Sequence, residues 1–356
     1  MGCCAVGGII AILKLNPPNL MHIGKRYSLK EFVMWSRRDI YKCLFIAIVP
    51  TLLYCYAGWT FIGISWMPVA MLGTAVAFIV GFKNNASYNR LWEARQIYGA
   101  IINDSRAFAV KARDFAGGKT NPSVRLLFNR HFAWLTFLRY QLRDPRPWEI
   151  MDEVRYKEYM KGAYSIPERN EPLEGTVQEF LTPEELRYLL GKKNRASQVL
   201  ALQSETIAAL HQQGIINDFQ QLQLQTSITA LYEQQGKAER IKNFPYPRNF
   251  SSITTYLLHL FVILLPFGLL KEFAHLGDGT MIEGYTIHFI IPFTTIVGWA
   301  FVTLDAVGDS SINPFEGSPN DVPITQISRM IETDLKEMLD DTRLPAPVVP
   351  VHNIVL

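Results

Sequence analysis

The sequence predicts an all-α membrane protein with four transmembrane helices and a large helical cytosolic region. Three observations carry that class. Four apolar runs cluster toward the two ends of a 356-residue chain. Lys and Arg are distributed one-sidedly around those runs. Apolar residues recur at three- and four-residue spacings through the middle. Composition alone does not decide, because 49% hydrophobic and 19% charged residues lie between soluble and membrane averages.

Residues 1–38 read as a cytosolic arm with an interfacial helix. The opening MGCCAVGGIIAILKL has a short apolar stretch with no positive charge before it, unlike a secretory leader. Val6 stands where N-myristoylation prefers Ser or Thr, which leaves Cys3 and Cys4 as candidates for lipid attachment. Residues 39–82 hold the first two spans. The first apolar run, Tyr41 to Trp59, carries Lys42 as its one charge. The second, Trp66 to Val80, is short of the roughly 20 residues a span needs unless its helix continues into the polar stretch that follows. No breaker separates the two, so one helix is expected to leave the membrane without stopping.

The region 83–250 reads as helical and cytosolic. Leu127, Phe128, His131, Phe132, Leu135 and Leu138 repeat with a helical period. A Pro- and acid-rich stretch at 166–184 reads as a loop, and Thr182-Pro183-Glu184-Glu185 as a helix start. The Gln-rich stretch 203–235 reads as a bundle helix with a polar, water-facing side. Residues 251–305 hold the third and fourth runs, Ile253 to Leu270 and Tyr285 to Leu304, whose only ionisable groups are His259 and His288. Residues 306–356 read as one amphipathic helix followed by a Pro-rich tail.

Charge sidedness sets the topology. Lys25, Arg26, Lys30, Arg37, Arg38 and Lys42 precede the first span, and the loop after it is uncharged. Glu272 to Gly284 has acidic residues but no Lys or Arg. The positive-inside rule then places both termini and the middle region in the cytosol, in a plasma or inner membrane.

Signatures of other classes are sparse. A net charge of +3 without a dense basic tract gives no footprint for nucleic acid. The four cysteines, at 3, 4, 43 and 55, form no CxxC pair. Gly117-Gly118-Lys119-Thr120 resembles the end of a phosphate loop, but Arg113 occupies the place of its first glycine. GxSxG and HExxH are absent, the histidines are scattered, and no metal site or catalytic residue is assigned.

Informative spacing is concentrated in the second run. Gly73, Ala77 and Gly81 lie four apart and leave one helix face bare, suited to close helix packing. About 100° round lie Thr74, Phe78 and Phe82, also four apart. In a ring of subunits the phenylalanines would narrow a pore and could gate it by dewetting. The plainer reading has them facing lipid or core.

The stretch GFKNNASYNRLWEAR, with Gly99, Asn103, Ser105 and Arg106 after it, closely resembles the bestrophin channel signature that follows the second transmembrane helix. Ile291-Pro292-Phe293, Asp305, Gly308, Ile312-Asn313-Pro314-Phe315-Glu316-Gly317 and Asn320-Asp321 resemble the stretch around and after the family's fourth span. Glu239-Arg240-Ile241 and Pro245-Tyr246-Pro247 are similar too.

The resemblance implies a homopentameric ion channel in membrane lipid. Carried onto this chain, the pore neck is Thr74, Phe78 and Phe82, and the lower constriction falls at Ile207. Asn84 and Asn85 are candidates for ion contact in the vestibule just inside the neck. Gly73, Ala77, Gly81, Tyr88, Arg90, Glu93, Arg95, Asn313, Pro314, Phe315, Asn320 and Asp321 are motif residues with structural roles, Glu93 or Arg95 tethering a neighbouring helix. Animal members clasp calcium with an acidic run after Asn-Pro-Phe. Here Glu316 to Asp321 offers too few carboxylates for six to eight oxygens, so no calcium and no cofactor is expected. Thr74, where relatives carry a bulky aliphatic, implies a wider or wetter upper neck.

The Phe78/Phe82 pair favours chloride or other small anions, since phenyl ring edges are positively polarised. A monovalent-cation channel is the alternative within the family. A non-conducting membrane scaffold or membrane-bound enzyme is the alternative from another class.

Overall fold

The computed structural model describes residues 27–349 and Ile354, except 152–155, 158–163, 277, 280, 282 and 283. The N-terminal arm with Cys3 and Cys4, and most of the residues beyond 349, lie outside the described residues. Among the described residues, four helices are long and apolar enough to cross a membrane. They are α1 (Leu29–Tyr56), the first part of α2 (Trp66–Phe115), α7 (Arg248–His275) and α8 (Ile290–Asp309), the last entered through a 3-10 turn at Thr286–Phe289. Between and after them come α3 (Pro122–Arg143), α4 (Pro183–Leu190), α5 (Arg195–Gln212), α6 (Asp218–Asn243) and α9 (Ile324–Met338).

Local chemistry sets these boundaries. α1 begins earlier than its apolar run because Ser28 and Glu31 form a reciprocal capping box, giving the span an N-terminal extension. The same device starts α4 at Thr182 and α6 at Asn217. α2 runs unbroken for 50 residues, about 75 Å at 1.5 Å per residue. It stops at Gly117 and Gly118, whose φ values of 92° and 86° suit glycine, with the Gly118 N–H donating to the Arg113 carbonyl at 2.9 Å. The resemblance to a phosphate loop there is a helix terminus. The 166–184 loop contains two short helical turns, Pro167–Asn170 and Leu173–Val177.

Two cores follow from this layout. In the membrane part, α1, α2, α7 and α8 bury Cys43, Val69, Val76, Val80, Leu258 and Phe261 together. Gly73 is required there, because a Cβ would sit 2.6 Å from the Phe261 ring. The second core joins the C-terminal half of α2 to α3, α5, α6 and α9 around Ile101, Phe108, Phe128 and Trp134. α6 runs antiparallel to α2. Its end near Ile241 accepts from Arg90 Nη2 at 3.0 Å, and its Ser227 accepts from Lys111 Nζ at 3.0 Å.

Part of the Gln-rich stretch faces inward. Gln235 Oε1 accepts from Trp134 Nε1 at 2.9 Å and its Nε2 donates to Ser197 Oγ at 2.8 Å, while Gln203 donates to the Leu127 carbonyl. An amide can donate and accept at once, which suits Gln235 to an apolar bundle; Gln203 uses only its donor there, and its Oε1 is buried without a hydrogen-bond partner.

His131 lies in the same core with neither ring nitrogen hydrogen-bonded, stacked on Phe108. Burial pulls its pKa down to about 3. A base held below its unfolded value contributes fully above pH of about 6.5 and loses that contribution as pH falls toward 3. His131→Phe is expected to raise the melting temperature at pH 7 by removing an unsatisfied donor. It is also expected to flatten the loss between pH 6.5 and 5 by about 1.4 kcal/mol per unit. Thermal unfolding in detergent at several pH values measures both, and an unaltered pH slope would assign the acid loss to other groups.

Candidate functional site

α2 has two sharply different faces below Thr74. One is buried in its own subunit and repeats through Gly73, Val76, Val80, Lys83, Ser87, Leu91 and Ala94. The opposite face is exposed. It repeats at four- and three-residue steps through Thr74, Phe78, Phe82, Asn85, Asn89, Trp92 and Gln96, and again at Asn103, Ala107 and Val110. Alternating steps of four and three average 3.5 residues and keep one side of a helix in line. The track is about 54 Å long from Thr74 to Val110 and carries no charge.

Phe78 and Phe82 are 68% and 60% exposed, although they sit in the apolar part of the helix. Their rings stand at 85° with centroids 4.6 Å apart. Two perpendicular rings cannot both turn faces to one line, so the pair always offers an edge. Thr74 Oγ1 is spent on the Ala70 carbonyl at 3.0 Å, which leaves its methyl as the outward group.

The proposed packing stripe is divided. Gly73 packs within the subunit, whereas Ala77 and Gly81 are exposed, and a Cβ at Gly81 would meet nothing within 4 Å. Spacing by four drifts about 40° per step, which carries Gly81 off the face that Gly73 occupies.

Asn84 requires correction. Its Nδ2 donates to the Leu304 carbonyl at 3.0 Å and its side chain fills the space left by Gly308. Adjacent residues lie 100° apart, so Asn84 and Asn85 cannot both line one passage. Asn89, seven residues beyond Phe82, is on the track and was missed; the three-then-four step from Phe82 through Asn85 was the signal.

The buried face is clamped to α8. Lys83 Nζ, 1% exposed, sits 2.8 Å from Asp305 and 2.7 Å from Asp309. Two turns on, Arg90 Nε donates to the Ile312 carbonyl at 2.9 Å. Glu93 pairs with Arg240 of α6. Arg95 is exposed beside a cavity of about 380 Å³ lined also by Trp35 and Asn320. Tyr88 stacks on Trp92 at 6.4 Å.

The second motif closes the core outside the spans. Phe315 is buried against Tyr98, with ring centroids 5.7 Å apart, and its carbonyl accepts from Arg143 Nη1 at 2.9 Å. Asn313 and Pro314 are buried beside it, and Asn320 Oδ1 accepts from Tyr27 Oη at 3.1 Å. Asp321 Oδ2 accepts from the Gly317 and Ser318 N–H groups at 2.7 and 2.9 Å. Burial pushes its carboxyl up to about 6 despite the nearby Arg143. Burial, with the Asp321 and Glu149 charges, raises Glu316 as well. Two inward-turned carboxylates beside a guanidinium do not fit a calcium site of six to eight oxygens.

Ile207 also requires correction. It is fully buried in the core outside the spans, so its side chain cannot border an aperture. α5 packs that side against α3, whereas the exposed apolar residues of the α5–α6 hairpin are Ile215, Phe219 and Leu222 near its turn. Ile207→Ala is expected to cost about 2–5 kcal/mol through the cavity it leaves, read as a fall in melting temperature. A change of ion selectivity with unaltered stability would contradict the buried placement.

A family model described as bacterial/fungal bestrophin protein matches residues 37–337. The chain is 26% identical over 318 residues to the voltage-dependent anion channel-forming protein YneE of Escherichia coli, covering 88% of this chain and 90% of that protein. A voltage-dependent anion channel-forming protein of Ralstonia nicotianae is 25% identical over 80% of each chain. A crystal structure of a bacterial bestrophin homologue from Klebsiella pneumoniae superposes with a TM-score of 0.71 at 20% identity. That match covers 85% of this chain and 98% of the other. With the two-faced second helix, the buried Asn-Pro-Phe segment and this match across most of its length, the chain belongs to the bestrophin family in its bacterial and fungal branch.

Proposed function

We propose that this protein is an anion channel, a homopentamer in which the exposed track of α2 from each subunit lines the pathway. One observation carries the reading: a helix buried on one face keeps two large phenylalanines exposed on the other. They are followed by the amides of Asn85, Asn89, Gln96 and Asn103 on the same line. Five such helices around an axis would put Phe78 and Phe82 in a dry neck and the amides in a wet vestibule. The names of the Escherichia coli and Ralstonia relatives, both anion channel-forming, support the same reading.

Amides suit the vestibule because each offers N–H donors to an anion without holding it as a fixed charge would. Selection then falls to the neck, where ring edges favour the anion. A second constriction, where one forms, is assigned to Ile215 at the α5–α6 turn in place of Ile207. The protein sits in a plasma or inner membrane with both termini in the cytosol, and neither calcium nor catalysis enters its function.

Purified protein in planar bilayers under a KCl gradient tests the proposal. Reversal near the chloride equilibrium potential is the expected result. Reversal near the potassium potential would assign the cation-selective alternative. No conductance above background, in the wild type and in the Phe78→Ala/Phe82→Ala variant alike, would overturn the channel reading.

A further inference from the structure

A cavity of about 700 Å³ opens where α1, α7 and α8 reach the cytosolic side, away from the exposed track of α2. Arg38 and Lys42 border it from α1, and Arg248, Ser251 and Ser252 from the first turn of α7. Trp148 and Tyr246 supply aromatic walls, the residue types that settle at headgroup level. Thr255, His259 and Val302 carry the cavity upward into the spans. Eleven residues separate Arg248 from His259, about 16 Å of helix, so the cavity reaches from the headgroup layer to the acyl region.

Its charges are matched with one cation in excess. Asp305 and Asp309 are held by Lys83 at 2.8 and 2.7 Å. Asp39 lies 3.6 Å from Lys42. The wall itself carries Arg38, Lys42 and Arg248 against Asp39, Asp305 and Asp309, and Lys83, behind the last two, leaves one cation in excess. Both α1 and α7 keep large apolar side chains exposed nearby, Phe45 at 69% and Tyr256 at 73%. Basic pockets between spanning helices on the cytosolic side are suited to anionic headgroups, and apolar helix surface to the attached chains.

We propose that this cavity binds an anionic phospholipid, one carrying a single phosphodiester charge. Its phosphate is held by Arg248, Lys42 and the two serine hydroxyls, and its acyl chain runs up between α7 and α8 past His259. The polar end matches the net charge, and the length of the cavity along α7 distinguishes a lipid from a free phosphate. Because the site touches Asp305 and Asp309, which hold the pore-lining helix through Lys83, an occupied cavity also stiffens that junction.

Thermal unfolding of the full-length protein in a neutral detergent tests this. Separate titrations use phosphatidylglycerol, phosphatidylcholine and inorganic phosphate. Phosphatidylglycerol is expected to raise the melting temperature at concentrations where the other two do not, and Lys42→Gln/Arg248→Gln is expected to weaken that response at least tenfold. An equal response to phosphatidylcholine would make the site a nonspecific lipid contact. An equal response to inorganic phosphate would make it a free-anion site, and a full response in the double variant would place binding elsewhere. Each of these overturns the proposal. Should the double variant misfold, a photoactivatable phosphatidylglycerol cross-linked to the wild-type protein decides. Label on residues 38–42 or 245–259 supports the site, and label confined to other segments removes it.

Discussion

Unitary current through the Phe78→Ala/Phe82→Ala channel is expected to exceed that of the wild type by about tenfold, with each single variant intermediate. A permeating ion must shed water to pass a ring of phenyl groups, and current through such a neck is set by that barrier. Lowering it by about 1.4 kcal/mol raises the passage rate tenfold. Both side chains are exposed in the subunit, so truncation opens the passage without hollowing its core. What the subunit loses is the perpendicular ring contact at 4.6 Å, about 0.5–1.5 kcal/mol. Selectivity is expected to fall as current rises, because the ring edges that favour an anion leave with the rings. Single-channel recording in symmetric and then asymmetric KCl measures both effects. Larger current with unchanged reversal potential would move the selecting element away from the neck. Unchanged current would remove Phe78 and Phe82 from the pathway.

The spans were legible because a bilayer imposes a length and an apolar character that a linear sequence records directly. The continuity of α2 was legible for a related reason: nothing from Trp66 to Phe115 breaks a helix, and Gly117-Gly118 ends it. Thr74, Phe78 and Phe82 share one exposed face of α2, as their spacing by four requires. The errors arose where periodicity gives a helix face but not what covers it. Ile207 and Glu205 stand on one helix, and only the packing of α3 against α5 decides that the isoleucine is inside. Asn84 and Asn85 are the same residue type, separated by 100° of rotation and by the notch at Gly308.

Arg139, Arg143, Glu168 and Asp321 meet in one buried cluster. They come from α3, a loop read only as Pro- and acid-rich, and the second motif. Such a meeting has no local signature. Lys83 did leave one. Asp305 and Asp309, four apart at the end of the fourth span, lie at the membrane depth where a topology with both termini inside puts Lys83.

That triad carries the largest stability effect. Lys83→Met is expected to destabilise the folded protein by about 3–5 kcal/mol, because it leaves two carboxylates facing one another without their cation. Exposure ranks the partners. The Asp305 side chain is 12% exposed and the Asp309 side chain 36%, so Asp309 can recover water where Asp305 cannot. Asp305→Asn is therefore expected to cost less than Lys83→Met, since Asp309 at 2.7 Å still neutralises the lysine, and Asp309→Asn is expected to cost least.

Restoring neutrality separates charge from shape. In Lys83→Met/Asp305→Asn/Asp309→Asn no buried ion remains, and most of the loss is expected to return, as when a buried ion pair is replaced by matched neutral groups. The neck should register the same series. Lys83 follows Phe82 directly, and its clamp fixes the rotation of α2 where Phe82 meets the passage. Single-channel current in Lys83→Met is expected to spread over several sublevels, whereas the triple variant is expected to return toward one level. Thermal unfolding and single-channel recording on the same four variants test both claims. Equal melting temperatures for Lys83→Met and Asp309→Asn would show that solvent reaches the lysine site. A single-level current in Lys83→Met, alongside the expected loss of stability, would detach the clamp from the neck and leave it a purely structural tie between α2 and α8.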